Sequence, residues 1–317
     1  MEMSDTIFIG ISSYRDPLLA HTIKSALDHA KYPERLRFGI VEQEAPEHRI
    51  NSGSFFGADI AYIAIDPAAS RGACWARSIQ MSLYNDEDWM LQCDSHTIFG
   101  DDWDEYFVEM SKILRMRNKK CLISGYPRGF IFENGRSTPV IDDEKVIGHV
   151  CTKEASFEEN GVVIPVHPVG VDSLVPVRGF YIGAGCIFSP GKFVYDVPYD
   201  PYLYFNGEEH SLAVRAFTHG WDVYHAPAMP IYHLFEKGDG DSYRKKHWSE
   251  VENEDRKLKW ENLDMRSKTR LSAMLLRGED VGRMGLGNVR TLEQFAEFSG
   301  IDYKNKIIHE KARTGAW

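Results

Sequence analysis

Asp94-Ser95-His96 places two metal-ligating side chains one residue apart. A carboxylate and an imidazole on one short loop suit a divalent cation of intermediate hardness, Mn²⁺ first and Mg²⁺ second, with coordination positions left over for diphosphate oxygens. Such a loop would clamp a nucleotide-sugar. The plainer reading makes Asp94 the cap of the following turn and His96 an ordinary loop histidine. What surrounds the pair decides between the two.

The run Trp89-Met90-Leu91-Gln92-Cys93 is mostly apolar, follows the polar turn Asn85-Asp86-Glu87-Asp88 and stops at Asp94. Both ligands would therefore stand at the carboxyl end of a sheet strand, where open α/β sheets bind their ligands. Further strands are predicted over 7–12, 36–41, 61–65 and 121–124, alternating with helices over 18–30, 72–83 and 103–114. That alternation predicts an α/β fold, a parallel nucleotide-binding sheet with helices on both faces. Residues 133–177 break the pattern with Gly, Pro, Asp and Glu and short Val/Ile runs, so an irregular or hairpin-rich insertion is expected there. Apolar order returns at 180–182 and 186–188, followed by a helix over 208–217 and strands over 222–225 and 231–233. Beyond them the chain is charged and helical over 245–276, and a last helix over 291–298 has Thr291 as N-cap, Glu293 and Gln294 in its first turn and Gly300 as its stop. The expected organisation is one catalytic domain over 1–237 and a helical carboxyl-terminal extension over 238–317.

Composition narrows the function classes. With 317 residues, 43% apolar and 26% charged, the chain can bury a large core. No apolar stretch approaches the roughly 18 to 20 residues that span a bilayer. The start Met1-Glu2-Met3-Ser4-Asp5 lacks a basic region and runs into Ile7-Phe8-Ile9, which reads as a strand rather than a signal peptide, so a cytoplasmic protein is expected. Cys74, Cys93, Cys121, Cys151 and Cys186 form no C-x-x-C pair, which predicts reduced thiols and no zinc site. A net charge of −10 argues against a protein devoted to phosphate backbones, although basic clusters at 115–120 and 243–247 keep a local groove open.

Four further features accompany Asp94 and His96. Ser70-Arg71-Gly72-Ala73-Cys74-Trp75-Ala76-Arg77 sets a glycine at a helix start between arginines, a natural pocket for pyrophosphate or ribose. Gly183-Ala184-Gly185 lets backbone approach a ligand, Asn206-Gly207-Glu208-Glu209 opens a helix with two carboxylates, and Tyr232-His233 ends an apolar strand. Each also has a structural explanation: surface arginines, a turn, first-turn acids favoured by the helix dipole, a core histidine. In this order, together with Ile7 to Asp16 and Gly287 to Glu293, they resemble the glycosyltransferases of the GT-A fold. The resemblance is greatest to the UDP-GlcNAc-dependent N-acetylglucosaminyltransferases typified by the cytoplasmic enzyme that sugars hydroxyproline on a ubiquitin-ligase subunit. Polypeptide N-acetylgalactosaminyltransferases are similar in the Asp-x-His motif, the Gly-Glu helix and a late histidine, but their lectin domain has no counterpart in the sequence.

The resemblance implies that Asp94, His96 and His233 bind Mn²⁺, and that Tyr14, Arg15 and Gln43 line a uridine pocket, with Ser12 and Ser95 in the same segments joining them. Arg77 and Arg71 would face ribose or pyrophosphate beside Gly72, with Gly183 and Gly185 near the donor. Glu208 or Glu209 would face the sugar and the incoming hydroxyl, with a preference for Glu208 because adjacent helix residues point about 100° apart. Transfer would proceed with retention, from a UDP-sugar, most readily UDP-GlcNAc, to a hydroxylated protein side chain. Three alternatives remain: the same chemistry on hydroxymethylated bases of phage DNA, an inactive glycan- or nucleotide-binding module, and metal-dependent hydrolysis of nucleotide-sugars by the same ligands. The sequence leaves oligomeric state open.

Overall fold

The computed structural model describes residues 5–140, 145–235, 245–254 and 256–315. Strands β1 (Ile7–Tyr14), β2 (Leu36–Gln43), β3 (Asp59–Ile65) and β4 (Trp89–Asp94) pair in parallel in the order β3-β2-β1-β4. Alternation along β1 divides two cores. Ile7, Ile9 and Ile11 pack with the helices Leu19–Asp28 and Trp103–Arg115, whereas Phe8 points to the opposite face, toward the helices Ala73–Met81 and Glu208–Thr218. The α/β expectation, with helices on both faces, therefore holds.

The sheet is mixed rather than parallel throughout. β5 (Thr97–Phe99) leaves it, β6 (Cys121–Ser124) rejoins it, and the strands that follow build its far half and a second sheet. Hairpin β7 (Arg128–Glu133) and β8 (Arg136–Pro139) and hairpin β9 (Val146–Cys151) and β10 (Val166–Val171) occupy the expected insertion, whose residues 141–144 lie outside the described segments. β11 (Val177–Gly179), β12 (Cys186–Pro190) and β13 (Asp222–His225) return to the main sheet, with β12 antiparallel between β4 and β6. The order is β11-β13-β6-β12-β4-β1-β2-β3. Residues 180–182 are not part of a strand; they are buried beside the turn that reverses the chain into β12.

Strand β14 (Ile231–His233) pairs with β5 antiparallel and with β7 in parallel, within a four-stranded sheet ordered β5-β14-β7-β8. Its register sets His233 opposite Thr97, one residue beyond His96. Segment 245–276 is not one helix. It forms helices Glu250–Glu254 and Trp260–Leu271 and a widened turn over Ser272–Leu276. The helix Leu292–Ser299 starts on a reciprocal Thr291–Gln294 capping box and stops at Gly300 with φ 79°, and a short helix Glu310–Thr314 follows it. The tail is not wholly helical, since β15 (Ile301–Asp302) and β16 (Ile307–Ile308) form a small hairpin. Leu271, Met274, Phe295 and Tyr303 share a core cluster with Phe8 and Leu212.

Candidate active site

A cavity of about 610 Å³ opens at the carboxyl ends of β1, β2 and β4. Asp94 is the last residue of β4, and His96 lies in the turn leading to β5. Asp94, His96 and His233 each offer one ligand atom, and these atoms lie within 4.8 Å of one another. His96 Nε2 is 2.9 Å from His233 Nε2, which is 3.2 Å from Asp94 Oδ2. The other oxygen of Asp94 accepts a hydrogen bond from Arg77 at 2.5 Å. One carboxylate oxygen and two imidazole nitrogens therefore converge on one point from two segments, the end of β4 with the loop after it and the end of β14, a donor set that fits a divalent first-row metal.

Arg77, buried on the helix that begins at Ala73, also donates to Glu208. The guanidinium thus sits between two carboxylates. Burial alone would raise the Asp94 carboxyl, but Arg77, with His233 and His96, holds it well below the usual carboxylate range. Burial likewise works against the Arg77 charge and is outweighed by Glu208 and Asp94. Gly72 precedes this helix with φ 96°, and a Cβ there would meet the Tyr204 ring at 2.5 Å. That left-handed turn and close approach both require glycine.

Glu209 occupies a different setting one residue on. Its Oε2 accepts from Tyr181 at 2.6 Å and Tyr126 at 3.0 Å, and its Oε1 accepts from the Ala184 backbone N–H at 2.8 Å. Desolvation dominates these donors and pushes the Glu209 carboxyl up to about 7. Both acids border the cavity, Glu208 through its ion pair and Glu209 through its tyrosines.

Ser12, Tyr14, Gln43, Gly72, Ser95 and Gly185 also border the cavity. Gln43 donates to the Ser13 carbonyl at 3.0 Å and accepts from Ser70 at 2.5 Å. Gly185 lies against the metal corner, since a Cβ there would stand 3.3 Å from Asp94 Oδ2. Three expected residues do not border the cavity. Arg15 pairs with Glu252 at 2.7 Å, Arg71 is exposed beside Trp75, and Gly183 exchanges hydrogen bonds with Ser124 behind the cleft.

The family described as Glycosyltransferase (GlcNAc) matches residues 6–52 and 47–305, nearly the whole chain. The chain belongs to that family. Among solved structures, this glycosyltransferase is similar to the "Crystal structure of GalNAc-T7 with UDP, GalNAc and Mn2+", with 13% identity and a TM-score of 0.61. The likeness covers 97% of the chain and 59% of that structure, so the chain spans little more than half its neighbour's length. At that identity the likeness shows the GT-A fold alone. No curated protein matches the sequence. None of the described helices is long and apolar enough to cross a membrane.

Sequence reasoning missed several residues of this glycosyltransferase's cleft. Asp16 holds His96 Nδ1 at 2.7 Å, and Tyr126 and Tyr181 hold Glu209. His247, from the carboxyl-terminal segment, borders the cavity between Tyr14 and Tyr204, with ring centroids at 5.0 and 5.4 Å. Glu252 accepts from Tyr14 at 2.6 Å, and Arg256 donates to the same hydroxyl. Asp16 lay inside the segment that carried the family resemblance, and His247 lay inside a basic cluster whose Tyr243 and Arg244 fall outside the described residues. The other basic cluster, 115–120, does not border the cavity: Arg115 stacks over Trp89 and Lys120 pairs with Asp196.

Proposed function

We propose that the cleft transfers a sugar, first N-acetylglucosamine, from a UDP-sugar to a hydroxyl on a macromolecular acceptor, first a hydroxylated protein side chain. The observation that carries this reading is the convergence of Asp94, His96 and His233 at the end of β4, in a glycosyltransferase cleft deep enough for a nucleotide-sugar. A Mn²⁺ ion held there would neutralise the diphosphate as it leaves. Tyr14, Gln43 and Ser12 would receive the uridine at the ends of β1 and β2. Arg77, fixed by Glu208, keeps the Asp94 carboxylate charged and oriented. Glu209 presents its carboxyl to the acceptor side of the cavity, where Val163, Ile164 and Val166 from the insertion form the wall.

Front-face attack fits this arrangement. The acceptor O–H bond breaks as its oxygen bonds to the anomeric carbon, the carbon–phosphate oxygen bond breaks, and the departing phosphate takes the proton, giving retention of configuration. We assign the catalytic unit to 1–237, with 238–317 as an extension that adds His247, Glu252 and Arg256 to the proposed nucleotide end. Five buried, free cysteines support a reducing, cytoplasmic setting. A panel of UDP-sugars incubated with the chain and Mn²⁺ tests the donor, with UDP release as readout. The best donor is then offered to hydroxyproline-bearing protein and to hydroxymethylated DNA, with mass spectrometry of both. Transfer to protein is expected; release from no UDP-sugar would refute the reading, and transfer to DNA alone would replace the acceptor.

A further inference from the structure

His96 reaches the metal corner with one particular nitrogen, and its surroundings explain which. Asp16 follows β1 and is buried, 8% exposed. Its Oδ1 accepts from the Leu18 backbone N–H at 2.9 Å, while its Oδ2 accepts from Ser95 Oγ and stands 2.7 Å from His96 Nδ1. The loop itself is fixed from the same side: Thr22 Oγ1 donates to the Ser95 carbonyl at 2.8 Å and accepts from the Thr97 N–H at 3.0 Å. A carboxylate offers no proton, so a hydrogen bond between it and His96 Nδ1 needs the imidazole proton on Nδ1. That leaves the lone pair on Nε2, the atom 2.9 Å from His233 Nε2.

We propose that Asp16 is the positioning residue of the metal site: it sets the His96 tautomer and aims Nε2 at the point shared with Asp94 and His233. The inference rests on the metal reading of the cleft. Carboxylate partners of metal-ligating histidines act in this way in general, and their loss weakens metal binding about 10–100-fold. Asp16 borders the cavity, but both its oxygens are engaged by the Leu18 N–H, Ser95 and His96, so its effect should appear in metal affinity and imidazole tautomer, not in binding of the nucleotide alone.

Asp16→Asn separates that role from a purely structural one. Its carbonyl oxygen can still accept from the Leu18 N–H, while its NH₂ faces His96 Nδ1 and draws the ring proton to Nε2. Nitrogen-15 NMR of the metal-free parent is expected to show His96 protonated at Nδ1, and in Asp16→Asn at Nε2. Calorimetry with Mn²⁺ in the presence of UDP should show affinity weakened about 10–100-fold, while UDP binding in chelator stays within about twofold. The parent spectrum decides even where the variant does not fold: a proton on Nε2 in the parent overturns the proposal. If the parent binds Mn²⁺ and folded Asp16→Asn binds it equally well, the role of Asp16 alone fails. If the parent takes up no Mn²⁺, the metal reading fails and this inference falls with it.

Discussion

The cleft has two sides built in different ways. On the side proposed for the nucleotide, β1, β2 and β4 end side by side, with Ser12 opposite Asp94 and Tyr14 opposite Gln43. On the side proposed for the acceptor, Tyr126, Val163, Tyr181 and Glu209 come from four separate segments and meet only through tertiary packing. The electrostatics diverge as well. Asp94 is held charged by an adjacent guanidinium, whereas Glu209, without a cation among its hydrogen-bond partners, is pushed up to about 7. A side fixed by charge pairs should fail abruptly on substitution, and a side fixed by neutral donors should fail by degrees.

The largest effect is expected at the charge pairs. Asp94→Ala should abolish turnover, a loss of about 10³-fold or more with a reaction whose leaving-group charge is no longer countered. His233→Ala should come close to it. Arg77→Ala should also destabilise the fold by about 3–5 kcal/mol, because it leaves Glu208 buried and Asp94 half-buried without their cation. Chemical denaturation measures this, and a loss below about 1 kcal/mol would remove the distinction between the two sides.

Glu209→Gln should lower kcat about 100-fold while UDP affinity changes less than about twofold, since Glu209 is proposed to face the sugar and acceptor rather than the nucleotide. Glu208→Gln should instead weaken metal and nucleotide binding by releasing Arg77. Equal, mild losses from both would make them helix-start acids only. An ionised Glu209 would stabilise the positive charge that develops on the sugar while the departing phosphate takes the proton, so a carboxyl at about 7 predicts that parent turnover rises as Glu209 ionises through neutral pH and that Glu209→Gln flattens that limb of the profile.

Most of the nucleotide side was legible in the sequence because each of its parts is local. A strand ending in Asp94, a glycine before the Ala73–Met81 helix and the Thr291 cap each announce themselves within a few residues. The acceptor side had no such announcement. Tyr126 and Tyr181 meet Glu209 across 83 and 28 residues, and Asp16 meets His96 across 80. The antiparallel β12 escaped for a related reason: a fully buried apolar strand carries no mark of its direction. The break between Glu250–Glu254 and Trp260–Leu271 serves Arg256, which must reach Tyr14, a demand invisible in helical periodicity.

Stability against pH sharpens the comparison from another direction. Burial, first among the causes, lowers His210, His225 and His247 to about 4 and holds His149 well below its ordinary value, so the unfolded chain binds more protons below its ordinary histidine value near 6.5. Stability should therefore fall as pH drops from 6.5 toward 4, by roughly 3 kcal/mol for a fully buried histidine shifted as His225 is. Glu209 opposes this, because its raised value favours the protonated folded state between about 7 and its unfolded value. Denaturation midpoints between pH 6.5 and 4.5 test the balance, and a flat profile would contradict it. The smallest change is expected from Tyr126→Phe, which removes one of three donors to Glu209 and should cost about 1 kcal/mol and severalfold in turnover.

The central claim is that Asp94, His96 and His233 form a metal site that binds the UDP-sugar diphosphate. Calorimetry of UDP binding to the parent chain and to Asp94→Asn, each with Mn²⁺ and with chelator, tests it most directly. Tight UDP binding by the parent only when Mn²⁺ is present, and Mn²⁺-independent weak binding by Asp94→Asn, is the predicted result. Equal UDP affinity in Mn²⁺ and in chelator for the parent would contradict it.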